Sequence, residues 1–244
     1  MIYLHLLLFW LLGTADTQHP MVQEALLTLG SPYVAGSLEN PKEDFVCRTD
    51  AFDCFTLVEY CTAKALMKPN STPYPTLIEQ NRYQGGKRNG YGSRHHYFVS
   101  WAQAGVQNGW LAPVHHPDEQ PWKKKINYMS THRGAYPTYI PIKEWMAIQH
   151  QENELSEKTL HFFPKENLPI DLNFIQNGDI IAFTSQVAGL DVNHEGIAFW
   201  QNNQLHFIHA SQELKKVVIS EETLGAYLRR IKKHSGLMIY RIKL

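Results

Sequence analysis

The sequence has almost no excess charge of either sign. Its 244 residues include 23 Lys and Arg and 23 Asp and Glu, so the formal net charge at pH 7 is zero. Proteins that bind nucleic acid or an anionic membrane through bulk charge carry a basic surplus. We therefore expect no nucleic-acid partner. The chain is 43% hydrophobic and 12% aromatic, which is enough to bury a large core.

Several well-known catalytic signatures are also missing. The sequence has no GxSxG, which disfavours a serine hydrolase, and its loop "GGKRNGYGS" lacks the GKS or GKT of a Walker A motif. No CxxC pair occurs, and "NHEG" is not the HExxH zinc motif. The doublets His95-His96 and His115-His116 lie outside these zinc-ligand spacings. We therefore expect neither a metal nor an organic cofactor.

The N-terminal stretch "MIYLHLLLFWLLGTADTQ" resembles an export signal. Residues 2 to 12 are almost all apolar, but the run is too short to span a bilayer comfortably. No Lys or Arg precedes it, and the small residues of "GTA" offer a cleavage site after Ala15. We predict that residues 1–18 are a signal peptide and that the protein is periplasmic or extracellular, with no stable membrane insertion after signal removal. An uncleaved N-terminal anchor is the alternative.

The sequence contains only three cysteines, namely Cys47, Cys54 and Cys61. An odd number leaves one thiol unpaired in an exported chain. Cys54 and Cys61 would lie two turns apart on one helix, with Cα atoms about 10 Å apart, which is too far for a disulfide. Cys47 could pair with Cys61, and the sequence leaves this open.

The pattern of apolar residues predicts an α+β fold, with helices first and an antiparallel sheet after them. Helices are predicted in "HPMVQEALLTLG", from Cys54 to Met67, in "TLIEQNRYQ", in "RHHYFVSWAQAGVQNG", from Ile142 to about Lys158 and in "EETLGAYLRR". Strands are predicted in "GDIIAFTS", "HEGIAFW", "LHFIHAS", "KKVVIS" and "GLMIYRI". Asn202 and Asn203 suit a tight hairpin turn between the second and third of these strands.

Composition divides the mature chain into three parts. Residues 19–109 are mostly helical, and residues 169–244 contain the predicted strands. Residues 110–168 differ from both, because they combine three Trp, several Tyr and many Pro with a run of three lysines, Lys123 to Lys125. We predict that residues 110–168 are an insertion or subdomain, and that the lysine run is a solvated face.

Cys54 begins one of the predicted helices. Cys54, Leu57, Val58, Cys61 and Ala65 follow one helical face, and Asp53 before them is a favoured N-cap residue. The positive end of the helix dipole and its unpaired N–H groups would favour a thiolate at Cys54. The alternative is that Cys54 is a small buried hydrophobic residue.

Two of the thirteen histidines lie at strand ends that meet in an antiparallel hairpin. His194 starts the strand "HEGIAFW", and His209 ends the strand "LHFIHAS". His206 is three residues before His209, so its side chain should point to the other face of the sheet. A cysteine nucleophile needs an imidazole base and a third group that orients it. We predict that Cys54, His194 and His209 meet in one cleft.

These residues carry a family resemblance. The segments "GSPYVAG", "FDCFTLVEY", "HEGIAFW" and "IHAS" are similar to the NlpC/P60 cysteine peptidase superfamily, which has a papain-like fold. "YVAGSLE", "HYFVSW", "NGDIIAFTS" and "GLDVNHEGIA" extend the match to its DUF1460 branch, described as N-acetylmuramoyl-L-alanine amidase-like. The resemblance covers nearly all of the mature chain. Cys47 and Phe55 depart from the family pattern.

The resemblance implies a cysteine amidase that acts on peptidoglycan fragments. Cys54 would be the nucleophile, His194 the base and His209 the group that orients the base. Tyr33 would line the site and help bind an oxyanion. Arg94 and His96, in the family-like segment "SRHHYF", would bind substrate.

Two other functions stay open from the sequence. One is an endopeptidase that cuts within the stem peptide, as many NlpC/P60 proteins do. The other is a wall-binding module without catalytic activity, although such a module would not need all three of Cys54, His194 and His209.

Overall fold

The structure, a computed structural model, describes residues 18–68 and 72–244. Most of the predicted export signal therefore lies outside the described residues. Within them, the helices are α1 (Pro20–Leu27), α2 (Cys54–Leu66), α3 (Tyr74–Arg82), α4 (Phe98–Gln107), α5 (Tyr128–Thr131), α6 (Ile142–Glu157) and α7 (Leu224–Arg230). The strands are β1 (Leu111–Pro113), β2 (Gln120–Trp122), β3 (Leu160–Pro164), β4 (Ile180–Ser185), β5 (Val192–Gln201), β6 (Gln204–Ser211), β7 (Lys216–Ile219) and β8 (His234–Ile242). No helix in the described part of the chain is long and apolar enough to cross a membrane.

All eight strands belong to one antiparallel sheet, which confirms the predicted α+β class. The strand order is β2-β3-β8-β4-β5-β6-β7, and β1 pairs with β8 beside this path. The pairs β1–β8 and β3–β8 join residues 110–168 to the sheet of the C-terminal part. The predicted insertion thus extends the central sheet instead of standing apart from it.

The sheet separates two hydrophobic cores because alternate residues of each strand point to opposite faces. On one face, Ile197, Phe199 and Ile208 pack with the helices α1, α2, α4 and α6. On the other face, Ala198 and Phe207 pack with residues of α7 and the loop before β4. Helix α2 packs against β5 and β6 on this face.

The hairpin between β5 and β6 has the predicted turn. Gln201 pairs with Gln204, and the two residues between them, Asn202 and Asn203, have φ angles of 52° and 60°. Asparagine tolerates positive φ better than most residues, and a type I′ turn requires it at both central positions. This turn sets the register in which β5 and β6 pair.

One predicted helix is shorter than expected. Helix α4 begins at Phe98, and the preceding residues from Arg94 to Tyr97 are extended. The reason is a long-range contact: the Asp191 carboxylate accepts a hydrogen bond of 2.9 Å from the backbone N–H of Val99 and so holds the first turn of the helix. The apolar pattern could not show this contact, since Asp191 is 92 residues away in sequence.

A buried ion pair fixes α2 to α3. Arg82 donates from Nε to Glu59 Oε1 at 2.9 Å and from Nη2 to Glu59 Oε2, and its Nη1 donates to the backbone oxygen of Val46. The side chains of Arg82 and Glu59 are 3% and 2% exposed. Removing one partner of such a pair leaves an uncompensated charge in the core.

We predict that Arg82→Met lowers the free energy of unfolding by about 3–5 kcal/mol, because Glu59 would stay buried without its partner. Urea unfolding followed by circular dichroism measures the change. The double variant Arg82→Met/Glu59→Leu should regain most of the loss. A double variant no more stable than Arg82→Met would contradict this account.

Candidate active site

Helix α2 begins at Cys54 because Asp53 caps it. The Asp53 carboxylate accepts a hydrogen bond of 2.8 Å from the backbone N–H of Thr56, and the Thr56 hydroxyl accepts one of 2.9 Å from the backbone N–H of Asp53. This reciprocal capping box fixes the first turn.

All three cysteines carry free thiols, so Cys47 and Cys61 do not form the disulfide that the sequence left open.

The two predicted histidines meet on neighbouring strands. His194 Nε2 lies 2.7 Å from His209 Nδ1, and the ring centroids are 4.9 Å apart. Gly196 on β5 permits this approach, since a Cβ there would lie 2.7 Å from Phe207 and 3.3 Å from the Cβ of His209. His206 pairs with Phe199 and instead binds the backbone oxygen of Ser220, apart from these two rings.

Burial keeps both imidazoles neutral. Desolvation lowers the pKa of His194 to about 4, and desolvation followed by the charge of His194 lowers the pKa of His209. A neutral imidazole can accept a proton. Because Nε2 of His194 is engaged with His209, its Nδ1 is the nitrogen left to act as a base.

The Cys54 residue is half-buried. The pKa of its thiol is raised well above the usual value by desolvation and then by the negative charges of Glu195 and Asp53. Glu195 directly follows His194 in the chain. A direct contact between Cys54 and His194 stays a prediction.

The pKa values of two tyrosines respond to the charge of Cys54. Burial raises the pKa of Tyr33 and of Tyr227 to about 12, and the charge of Cys54 adds to the effect at both. The ring of Tyr227 is 6.0 Å from that of His194 and 5.7 Å from that of His209. Tyr227 therefore packs next to both rings of the histidine pair.

Arg94 and His96 lie in a small cavity of about 190 Å³ that also contains Glu195 in its wall. The Arg94 side chain is 3% exposed and pairs with Glu39 at 2.9 Å and with Glu43 at 3.6 Å. His96 Nε2 is 2.7 Å from the backbone oxygen of Tyr91, to which it must donate. Their roles in substrate binding, and that of Tyr33, stay predictions.

Sequence reasoning missed three residues of this region. They are Glu195, Tyr227 and His234. For Glu195 a signal was available, because it shares a strand face with the buried residues Ile197 and Phe199. An acidic residue on an apolar face is unusual and often functional.

Tyr227 and His234 could not be found in this way. They come from α7 and β8, and they lie with His194 around a second cavity of about 460 Å³. His234 Nδ1 is 2.7 Å from Asn193 Oδ1, and its ring stacks on Phe183. Only the packing of α7 and β8 brings them there.

The described residues contain no group of three His, Cys, Asp or Glu placed to hold a metal ion.

The loop between β4 and β5, which leads to His194, is held by residues of the predicted insertion. Lys124 Nζ donates to the backbone oxygens of Ser185 and Val187, the latter at 2.7 Å. The backbone N–H groups of Asn127 and Tyr128 both donate to the oxygen of Gly189 at 3.0 Å. Gly189 has a φ of +78°, and a Cβ there would lie 2.6 Å from Asn127 Oδ1.

The expectation that the whole lysine run is solvated is therefore wrong for Lys124. Lys123 and Lys125 are exposed, whereas Lys124 is half-buried and points at the loop. The three lysines alternate because the chain is extended here, which places the middle side chain on the opposite side from its neighbours. Sequence alone could not show which of the three faces inward.

We predict that Lys124→Met lowers the free energy of unfolding by about 1–3 kcal/mol, since two partly buried backbone oxygens lose their donor. Amide hydrogen exchange of residues 186–191 should become faster, because the loop loses its anchor. Lys123→Met and Lys125→Met are matched controls that should leave both measurements unchanged. Equal effects at all three positions would show that Lys124 does not anchor the loop.

Three comparisons relate this fold and site to known proteins. The model of a family described as AmiA-like, N-acetylmuramoyl-L-alanine amidase-like, matches residues 25–237. A solved structure of an N-acetylmuramoyl-L-alanine amidase from Bacteroides uniformis is 38% identical with a TM-score of 0.86, covering 92% of this chain and 98% of that one. No protein with a curated description matches the chain.

Two further solved structures are similar. A Bacteroides fragilis protein provisionally described as a xylanase is 36% identical with a TM-score of 0.83, and the match covers 90% of this chain and 99% of that one. A Legionella pneumophila protein assigned to DUF1460 is 23% identical with a TM-score of 0.70, covering 99% and 93%. At that identity the Legionella protein supports the fold alone.

Proposed function

Because the chain belongs to the AmiA-like, N-acetylmuramoyl-L-alanine amidase-like family, we propose that it is a cysteine amidase of peptidoglycan fragments. The substrate is a muropeptide, including the 1,6-anhydro form, and the bond cleaved joins N-acetylmuramic acid to L-alanine. The proposal also places the chain in the NlpC/P60 superfamily with a papain-like core, and it places the protein outside the cytoplasm after export.

The observation that carries the proposal is the hydrogen bond between His194 and His209. The nucleophile that we propose acts with this pair is Cys54, the first residue of the capped helix α2. A nucleophile at a helix N-terminus, a base and an orienting group are the parts that nucleophilic acyl transfer requires. The wall-binding alternative gives no reason for a hydrogen-bonded pair of imidazoles whose pKa values are both lowered by desolvation.

The reaction begins with proton transfer from Cys54 Sγ to His194 Nδ1. The thiolate attacks the carbonyl carbon of the amide, and the backbone N–H of Cys54 at the start of α2 stabilises the oxyanion, with Tyr33 beside it. The imidazolium then protonates the leaving amine of L-alanine, which leaves a thioester on Cys54. Water, activated by neutral His194, hydrolyses the thioester and restores the thiol.

His209 orients the base throughout this cycle. Its Nδ1 lies 2.7 Å from His194 Nε2, so it fixes the plane of the ring and the tautomer. Tyr227 and Phe207 pack around both rings, with centroids 4.5 to 6.4 Å away, and keep water from separating them. The pair can therefore take up and return a proton without moving.

We predict that Cys54→Ala reduces kcat on purified muropeptides by at least about 10³-fold, because the covalent step is lost. Mass spectrometry of wild-type products should show an intact stem peptide released from the sugar. Cys47→Ala is the matched control, since Cys47 is a free thiol on the partly exposed approach to α2, and it should keep its activity.

Each other function gives a different product in the same assay. An endopeptidase would leave L-alanine attached to the sugar, and a xylanase would release reducing ends from xylan. A wall-binding module would bind sacculi without releasing any fragment. Undiminished muropeptide cleavage by Cys54→Ala would rule out the cysteine mechanism.

A further inference from the structure

His234 is a buried imidazole that the proposed reaction does not use. It begins β8, is 3% exposed, and its ring centroid is 6.4 Å from that of His194. Its Nδ1 atom lies 2.7 Å from Asn193 Oδ1, while its Nε2 atom is buried without a partner among the described residues. A buried polar atom left in this way costs free energy, so its place beside the proposed base needs an explanation.

The contacts of Asn193 decide which tautomer His234 adopts. Asn193 Nδ2 donates to the backbone oxygen of Lys233 at 3.3 Å, so Oδ1 is the amide atom that faces His234. An amide oxygen only accepts hydrogen bonds, hence Nδ1 of His234 carries the proton and Nε2 keeps its lone pair. Burial lowers the pKa of His234 to about 3, which keeps the ring neutral. Nε2 is thus a fixed acceptor, and the partner it requires is an N–H or O–H donor.

His234 belongs to the wall of the second cavity, of about 460 Å³. Asn193 and the proposed base, His194, line the same cavity. Its volume lies within the range of roughly 300–1,000 Å³ that is usual for sites that bind small molecules. Because the proposed base is part of the wall, a group bound here would lie next to the reacting amide. The cavity is therefore suited to hold one part of the substrate.

Much of this wall is held in place by the rest of the fold. The β4–β5 loop contributes Val187 and Leu190, and the segment 110–168 contributes Tyr128. Lys124 Nζ donates to the backbone oxygen of Val187 at 2.7 Å and so anchors the loop. An acceptor in a wall that is already ordered costs little reorganisation when a ligand binds.

Charge indicates which part of a muropeptide the cavity receives. Both the sugar and the stem peptide contain N–H donors, so the acceptor on His234 does not distinguish them. Lys233 and Glu213 also line the cavity, and both are exposed at its rim. The N-acetylated sugars are uncharged, whereas the stem peptide carries carboxylates and the ammonium group of its diamino acid. A rim with charges of both signs is complementary to the peptide.

We propose that this cavity is the subsite for the stem peptide, and that His234 is a specificity-determining residue whose Nε2 accepts a hydrogen bond from an amide N–H of that peptide. No proton is transferred to His234, and no covalent bond changes there. The inference rests on the proposed function in one respect, namely that the substrate is a muropeptide. Because the contact is made in the bound substrate as well as in the transition state, its loss should raise KM and leave kcat within about twofold.

Two substitutions separate the roles of the two ring nitrogens. In His234→Gln the amide reaches the position of Nε2 and keeps an acceptor there, whereas in His234→Asn the amide replaces Nδ1 and no acceptor remains at Nε2. The probe is the synthetic tripeptide L-Ala-γ-D-Glu-L-Lys, titrated into the intact chain by calorimetry. His234→Gln should bind it within about threefold of wild type, and His234→Asn at least about tenfold more weakly.

His206→Asn is the matched control. The Nδ1 atom of His206 also donates a hydrogen bond, to the backbone oxygen of Ser220 at 2.9 Å, but His206 is not part of the cavity wall. This variant should bind the tripeptide like wild type, while thermal unfolding shows which variants are folded. Tight binding by His234→Asn with weak binding by His234→Gln would show that only the bond to Asn193 matters, and would overturn the inference.

A second measurement uses the wild-type chain and does not depend on the folding of a variant. Methylating the amide nitrogens of the tripeptide one at a time removes one donor in each case. One methylated peptide should bind wild type at least about tenfold more weakly, and the loss should shrink below about threefold in His234→Asn. Equal binding of all the peptides, no saturable binding of the tripeptide, or displacement of the tripeptide by the disaccharide of N-acetylglucosamine and N-acetylmuramic acid would overturn the inference.

Peptide binding and muropeptide cleavage fail separately. If wild type binds the tripeptide through His234 but does not cut between the sugar and L-alanine, the proposed reaction is wrong and the subsite stands. If the amidase product appears while both His234 variants bind the tripeptide like wild type, the subsite is wrong and the amidase stands.

Discussion

The hydrogen bond between the rings of His194 and His209 is the contact on which the rest of the candidate site depends. It exists only in one register of β5 and β6, because a shift of one residue would turn either side chain to the other face of the sheet. The turn at Asn202 and Asn203 sets that register, and Gly196 leaves room for the ring of His209. The chemistry of the site thus begins with the geometry of one hairpin.

Burial is the second constraint, and it acts on every titratable group of the site in the same way. The charged form is disfavoured for the imidazoles of His194 and His209, for the thiol of Cys54 and for the carboxyl of Glu195. Burial thus favours the neutral form of each of these groups. In the proposed reaction, charge develops when a proton moves from the thiol to an imidazole.

Residues 110–168 contribute to this site through the backbone. Lys124 and the N–H groups of Asn127 and Tyr128 hold the β4–β5 loop, while β1 and β3 extend the sheet at β8. Loops between strands are usually the most mobile part of a fold, and the proposed role of His194 as a base requires the loop that leads to it to be held in place. The segment that differs most in composition is thus tied to the loop that leads to the histidine pair.

The sequence by itself determined the features that depend on neighbouring residues. Local spacing and capping determine four of these features. They are the alternation of inward and outward residues in β5 and β6, the start of α2 at Cys54 after Asp53, the turn at Asn202 and Asn203, and the order of helices and strands in the α+β fold. Tertiary structure decided what depends on distant residues: the start of α4 on Asp191, the inward direction of Lys124 and the three free thiols. The reason is that local pattern fixes the direction of a side chain, whereas its partner and its charge are fixed by whichever distant segment packs against it.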